Sequence, residues 1–144
     1  LWVYGRNVED LIGTGKFFGF YILCGLAAAI VQVVTNPYSR IPTIGASGAI
    51  AGVMGAYLVK FPRSRIVTLV PIFIFITTTE IPAWVMLIWW FIIQIFSGFG
   101  SLATADYTGG GVAWFAHIGG FIVGMLLVRK FAPKLPQWHA WYEE

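Results

Sequence analysis

Charged residues cut this chain into blocks whose lengths suit a membrane. Lys16 and Arg40 enclose 23 uncharged residues, Arg40 and Lys60 enclose 19, and Arg65 and Glu80 enclose 14. Glu80 and Asp106 enclose 25, and Asp106 and Arg129 enclose 22. A hydrocarbon core of ~30 Å is crossed by a helix of about 20 apolar residues. Four blocks meet that requirement: roughly 17–35, 44–60, 82–98 and 111–128. The 66–79 block is short, rich in β-branched residues and interrupted by Pro71. It reads as an interfacial or re-entrant segment, with a fifth span as the competing reading. Composition agrees: 58% of the 144 residues are hydrophobic and 10% charged. A soluble domain is about 45–50% apolar and about 25% charged. This composition argues against an ordinary soluble domain and excludes a disordered chain. The expected fold class is all-α, a polytopic helical membrane protein with one membrane domain over 1–144.

The placement of basic residues arbitrates between four spans and five. With four, Arg6, Lys16, Lys60, Arg63, Arg65, Arg129, Lys130 and Lys134 share one side and Arg40 alone lies opposite. With a fifth span at 66–79, the last three change sides and the asymmetry disappears. Basic residues collect on the cytoplasmic side, so four spans are expected. Residues 1–16, the 60–65 loop and the C-terminal tail then face the cytoplasm. The formal charge of +3 is spread along block edges and forms no patch for nucleic acid. The chain opens on Leu1-Trp2-Val3-Tyr4 without an initiator Met, so a longer parent protein is expected.

Turn residues mark the same boundaries. Asn36-Pro37 closes the first block and Phe61-Pro62 the second, because the residue before proline disfavours the helical region. Pro82 opens the third, and Gly109-Gly110-Gly111 the fourth. Trp84, Trp89, Trp90, Trp114, Trp138, Trp141 and Tyr142 supply aromatic groups, and those near span ends suit an interfacial belt. Helices in lipid approach closely through small residues. The second block carries Gly48 and Gly52 at a four-residue spacing, and the fourth carries Gly120 and Gly124 likewise. These two spans are expected to press together.

Polar residues inside such spans are costly and point to function. Ser47 lies near the outer end of the second span, in Gly45-Ala46-Ser47-Gly48. His117 lies about six residues into the fourth, or ~9 Å deep at 1.5 Å per residue. Taken alone, an intramembrane serine usually bonds back to its own helix, and an intramembrane histidine is as often structural as functional. Together, at matched depth and between glycine-rich faces, they read as a nucleophile and its general base. The N–H of Ser47 at a helix start can help hold an oxyanion. Gln32 and Gln94 read as interhelical hydrogen bonds, Glu80 as a charge favouring the N-terminal dipole of the third span, and Cys24 as a small packed residue. A single cysteine excludes a disulfide scaffold and a four-cysteine zinc site. No His-Glu-x-x-His is present, so a zinc protease is not supported. Asp10 and Asp106 sit at span boundaries, which suits an aspartyl dyad badly.

Gly45-Ala46-Ser47-Gly48, followed some seventy residues on by Ala116-His117-x-x-Gly120-Phe121-x-x-Gly124, resembles the rhomboid family of intramembrane serine proteases. Leu1-Trp2-Val3-Tyr4-Gly5, Phe61-Pro62-Arg63-Ser64-Arg65 and Ile81-Pro82-Ala83-Trp84 resemble its bacterial members. The resemblance implies that the four spans are the third to sixth of a six-helix core. It implies Ser47 as nucleophile and His117 as general base, with Gly45 the first glycine of the serine motif and no acidic third member. It further implies transmembrane protein substrates in the bilayer, an outward-facing site with a polar cavity above Ser47, and no cofactor or metal. The family's His-x-x-x-Asn motif, which supplies oxyanion-stabilising side chains, would fall before Leu1. Ala51 stands where some members carry a tyrosine that packs on the histidine, and the sequence names no group that orients His117. The alternative is a rhomboid-like protein without protease activity that binds transmembrane clients; such relatives usually lack the Ser or the His.

Overall fold

The computed structural model describes residues 1–37, 46–72, 75–104 and 112–132. In chain order they form α1 (Gly5–Ile12), α2 (Thr14–Thr35), α3 (Ser47–Lys60), β1 (Arg65–Ile72), β2 (Phe75–Pro82), α4 (Ala83–Thr104) and α5 (Trp114–Phe131). The expected helical membrane architecture holds, with a β-hairpin added. Gly45, residues 38–44 and 105–111 and the tail residues Trp138, His139, Trp141 and Tyr142 lie outside the described residues.

The first sixteen residues, expected only as a cytoplasmic lead-in, contain the short helix α1. It buries Gly5, Val8 and Ile12 on one face and exposes Arg6, Asn7 and Asp10 on the other, the periodicity of an amphipathic helix. Gly13 joins it to α2 in a single residue, with φ 85°, a conformation that favours glycine over any residue with a Cβ. Tyr4 packs edge-on against Tyr57 with ring centroids 5.1 Å apart. Burial, with the Tyr57 phenol adding to it, raises the Tyr4 phenol above its ordinary range.

Three helices are long and apolar enough to cross a membrane: α2, α4 and α5. α2 buries Phe20, Cys24 and Ala28, every fourth residue, and turns Phe18, Leu26, Ile30, Val33 and Val34 outward. An apolar exposed surface of that extent belongs against lipid or further protein. The segment expected to span at 44–60 differs. Its described helix, α3, has 14 residues, ~21 Å at 1.5 Å per residue, short of the hydrocarbon thickness. α3 is also the most enclosed helix, burying Gly48, Ala49, Ala51, Gly52, Val53, Gly55, Ala56 and Tyr57. It packs chiefly on α5 and α2, which also pack on each other, while α4 lies against α5.

Small residues make that three-helix contact possible. A Cβ on Gly120 would run into the Gly48 carbonyl, and one on Gly124 into the Gly52 carbonyl. On the α2 side, a Cβ on Gly52 would lie 2.5 Å from the Cys24 Cβ, and one on Gly119 would lie 2.7 Å from the Val31 Cβ. The helix backbones therefore touch directly, as close packing in lipid requires.

The 66–79 block is neither a fifth span nor a helix. β1 and β2 pair antiparallel from Arg65 opposite Pro82 to Ile72 opposite Phe75. Ile66, Val67, Thr68, Val70, Ile76, Thr77, Thr78, Thr79 and Ile81 explain the preference, because β-branched side chains favour the pleated backbone. The hairpin base is tied to α4 by the Ala83 N–H donating to the Ser64 carbonyl at 2.8 Å. Glu80 does not cap a helix. It lies in β2 and pairs with Arg65 at 3.3 Å, both side chains exposed, a contact worth at most about 1 kcal/mol.

Candidate active site

α3 and α5 cross with their starts side by side. Ser47 is the first residue of α3 and His117 the fourth of α5. α5 begins at Trp114, later than the sequence suggested, so His117 lies one turn into its helix. The crossing brings the His117 Nε2 to 2.9 Å from the Ser47 Oγ, across 70 residues of sequence. That is hydrogen-bond distance between a candidate base and a candidate nucleophile. Ser47 is exposed at the helix end, while Gly48 and Ala49 behind it are buried. Between described residues, the first backbone bond of α3 is Ile50 N–H to the Ala46 carbonyl at 3.0 Å. Ser47, Gly48 and Ala49 occupy the helix start, where N–H groups have no partner within the helix itself.

The other imidazole nitrogen is also engaged. His117 Nδ1 lies 2.7 Å from the Oε1 of Gln94 on α4. Gln94 is 4% exposed, and it is the one buried polar or charged side chain among the described residues. Its Nε2 donates to the Trp90 carbonyl at 3.4 Å, one turn earlier. The Trp90 ring lies 5.8 Å from the imidazole, tilted 39°, and the Trp114 ring meets it edge-on at 6.4 Å. These two tryptophans therefore line the candidate site rather than an interfacial belt; Trp84 and Trp89 are exposed.

A second glutamine holds the start of α5. No side chain of its own caps that helix. Instead the Ala116 N–H donates to the Gln32 Oε1 of α2 at 3.1 Å, satisfying one of the donors that a helix start leaves open. Gln32 thus fixes α5 at the residue before His117. Both glutamines bond between helices, as their place in apolar spans suggested. That Gln94 bonds to the histidine was not read from the sequence. The signal was present: Ala83, Leu87, Gln94 and Gly98 form the buried stripe of α4, and a glutamine in such a stripe needs a polar partner.

Gly48, Gly52, Gly120 and Gly124 lie at the α3–α5 contact below the Ser47–His117 pair. A cavity of about 590 Å³ is lined by Leu1, Trp2, Arg6, Asp10 and Phe17, at the opposite end of α2 from this pair.

The rhomboid domain profile matches residues 1–134. The chain belongs to the rhomboid family. It is 43% identical over 58 residues to the rhomboid protease GluP of Bacillus subtilis, a match covering 40% of this chain and 11% of that protein. It is 26% identical over 137 residues to the mitochondrial rhomboid protein 1 of Saccharomyces cerevisiae, covering 88% of this chain and 34% of the relative. With the mitochondrial presenilin-associated rhomboid-like protein of Homo sapiens it shares 24% over 157 residues, covering 96% and 36%. This rhomboid chain thus spans only about a third of the length of the last two relatives. No solved structure matches it. Family membership and the helices of spanning length make it an integral membrane protein.

Proposed function

We propose that this chain carries the Ser–His dyad of an intramembrane serine endopeptidase, with Ser47 as nucleophile and His117 as general base. The observation that carries the reading is the 2.9 Å approach of His117 Nε2 to Ser47 Oγ. In the proposed reaction the Ser47 Oγ attacks the scissile carbonyl carbon while its proton passes to His117 Nε2. The carbonyl oxygen gains the negative charge, which the N–H of Ser47 at the start of α3 helps to hold, Gly45 being part of the same motif. Collapse of this intermediate breaks the C–N bond, and His117 gives its proton to the leaving amine. Water, deprotonated by His117, then hydrolyses the acyl-enzyme and restores Ser47. No step requires a metal or cofactor.

The proposed substrates are transmembrane proteins, which the bilayer brings to a site at a helix end. The 8-to-1 distribution of basic residues supports an orientation with 1–16, 60–65 and the C-terminus cytoplasmic. Ser47 then lies in the outer half of a bacterial plasma membrane. The likeness to a Bacillus subtilis protease supports that membrane, and the mitochondrial relatives make an organellar one the competing outcome.

Fluorophosphonate labelling of the full-length protein in membranes tests the reading, because that probe reports an activated serine without a known substrate. Labelling of the parent, lost in Ser47→Ala and His117→Ala, is expected. A folded parent that does not label would overturn it in favour of a client-binding protein without protease activity.

A further inference from the structure

We propose that Gln94 is the residue that positions His117, holding the imidazole in the tautomer whose Nε2 accepts the serine proton. This rests on the protease reading above and names the group that stands where an acidic residue completes other serine triads.

The argument begins with the buried amide. A primary amide in an apolar interior is unfavourable unless both its ends are bonded, and Gln94 is 4% exposed. Its two ends are chemically distinct, and their partners decide which faces which. The Trp90 carbonyl, 3.4 Å away, can only accept, so the amide nitrogen faces it. The amide oxygen is left for His117 Nδ1 at 2.7 Å. An amide oxygen can only accept, so Nδ1 carries the proton. A neutral imidazole has one N–H, and Nε2 therefore presents a lone pair to Ser47 Oγ at 2.9 Å. Reversing the tautomer would set a lone pair against the Gln94 oxygen and an N–H against the serine, leaving no base.

The rings around His117 cannot make this distinction. Trp90 and Trp114 confine the imidazole plane, but an aromatic wall accommodates a ring turned by half a revolution equally well. Ala51 is fully buried in α3 and has no group to offer. Among described residues, the groups facing His117 are Ser47 from α3, Trp90 and Gln94 from α4, and Trp114 from its own helix. From α2, Gln32 bonds the neighbouring Ala116 N–H, and the Tyr21 hydroxyl lies 3.5 Å from the Ala46 carbonyl. None of these carries a charge near neutral pH. An amide suits that setting, because it orients the ring without burying a charge.

The test uses the full-length protein in detergent or liposomes. Histidine nitrogen NMR reads the tautomer directly, without activity. A parent His117 protonated at Nδ1 is expected, and protonation at Nε2 overturns the proposal. Gln94→Met keeps the size and removes the acceptor; about a tenfold to hundredfold fall in kcat with KM unchanged is expected, by analogy with lost outer-shell hydrogen bonds. Gln94→Glu keeps the acceptor and adds a charge. It is expected to label, with the acidic limb of its rate–pH profile moved to higher pH because a carboxylate favours the imidazolium. A folded Gln94→Met within twofold of the parent kcat overturns the proposal. If that variant does not fold, an unmoved profile in Gln94→Glu overturns it instead. Parent labelling that depends on Ser47 keeps the protease reading standing whatever Gln94 does.

Discussion

Ser47 and His117 are ordinary side chains made unusual by what surrounds them. A serine hydroxyl is a poor nucleophile until its proton has somewhere to go, and in the proposed dyad the acceptor is the neutral Nε2. Cleavage is therefore expected to fall on acidification, as the base becomes imidazolium and can no longer take a proton. A rate–pH profile of kcat with no acidic limb while the protein stays folded would contradict this. Ala51 provides a second prediction. It is fully buried, so Ala51→Tyr cannot simply add a ring against the histidine. The extra volume is expected to destabilise the fold by about 1–3 kcal/mol or more, read as a lowered thermal midpoint in detergent. At this scale the sequence speaks through rarity: Ser47, His117, Gln32 and Gln94 stand out because an apolar span leaves few polar residues to consider. Pairing was harder to read. Which glutamine meets the histidine depends on helix rotation, which sequence spacing alone does not fix.

At the scale of elements, glycine placement separates contact from decoration. Gly124→Ala would drive a methyl group into the Gly52 carbonyl, whereas a Cβ at Gly19 of α2 meets nothing within 4 Å. The first substitution is expected to lower the thermal midpoint clearly and the second to leave it unchanged or raise it, since alanine favours helix over glycine by about 1 kcal/mol. Equal effects at both positions would contradict the close α3–α5 packing. The four-residue glycine spacing is visible in the sequence because it follows the helical repeat. The hairpin was not, despite its β-branched run, since strand pairing depends on a partner and an apolar run of that length is also consistent with other membrane-associated forms. The start of α5 was likewise misjudged, because Gly109-Gly110-Gly111 invites a helix boundary that α5 takes only at Trp114.

For the molecule as a whole, the outward faces of α2 and α4 set the environment. Leu26, Ile30, Val34, Trp89, Phe96 and Phe99 are exposed, an arrangement that water would punish and lipid or further helices would welcome. The proposed orientation follows from charge distribution. Single cysteines replacing Asn7 and Ser64 are expected to react with an impermeant reagent from the cytoplasmic side, and one replacing Asn36 from the other. Labelling of all three from one side would overturn the four-span topology. The helical membrane fold was the most legible feature at this level, because transfer free energy acts on whole segments and forgives errors of a few residues at their ends. The chain's own thiol offers something more. Cys24 is its single cysteine, and the structure sets it, fully buried, against Gly52 where α2 meets α3. A thiol reagent reaches it only when those two helices part. Its alkylation rate is therefore a stopwatch for the breathing of the helix pair that carries Ser47, supplied by this chain without an engineered cysteine.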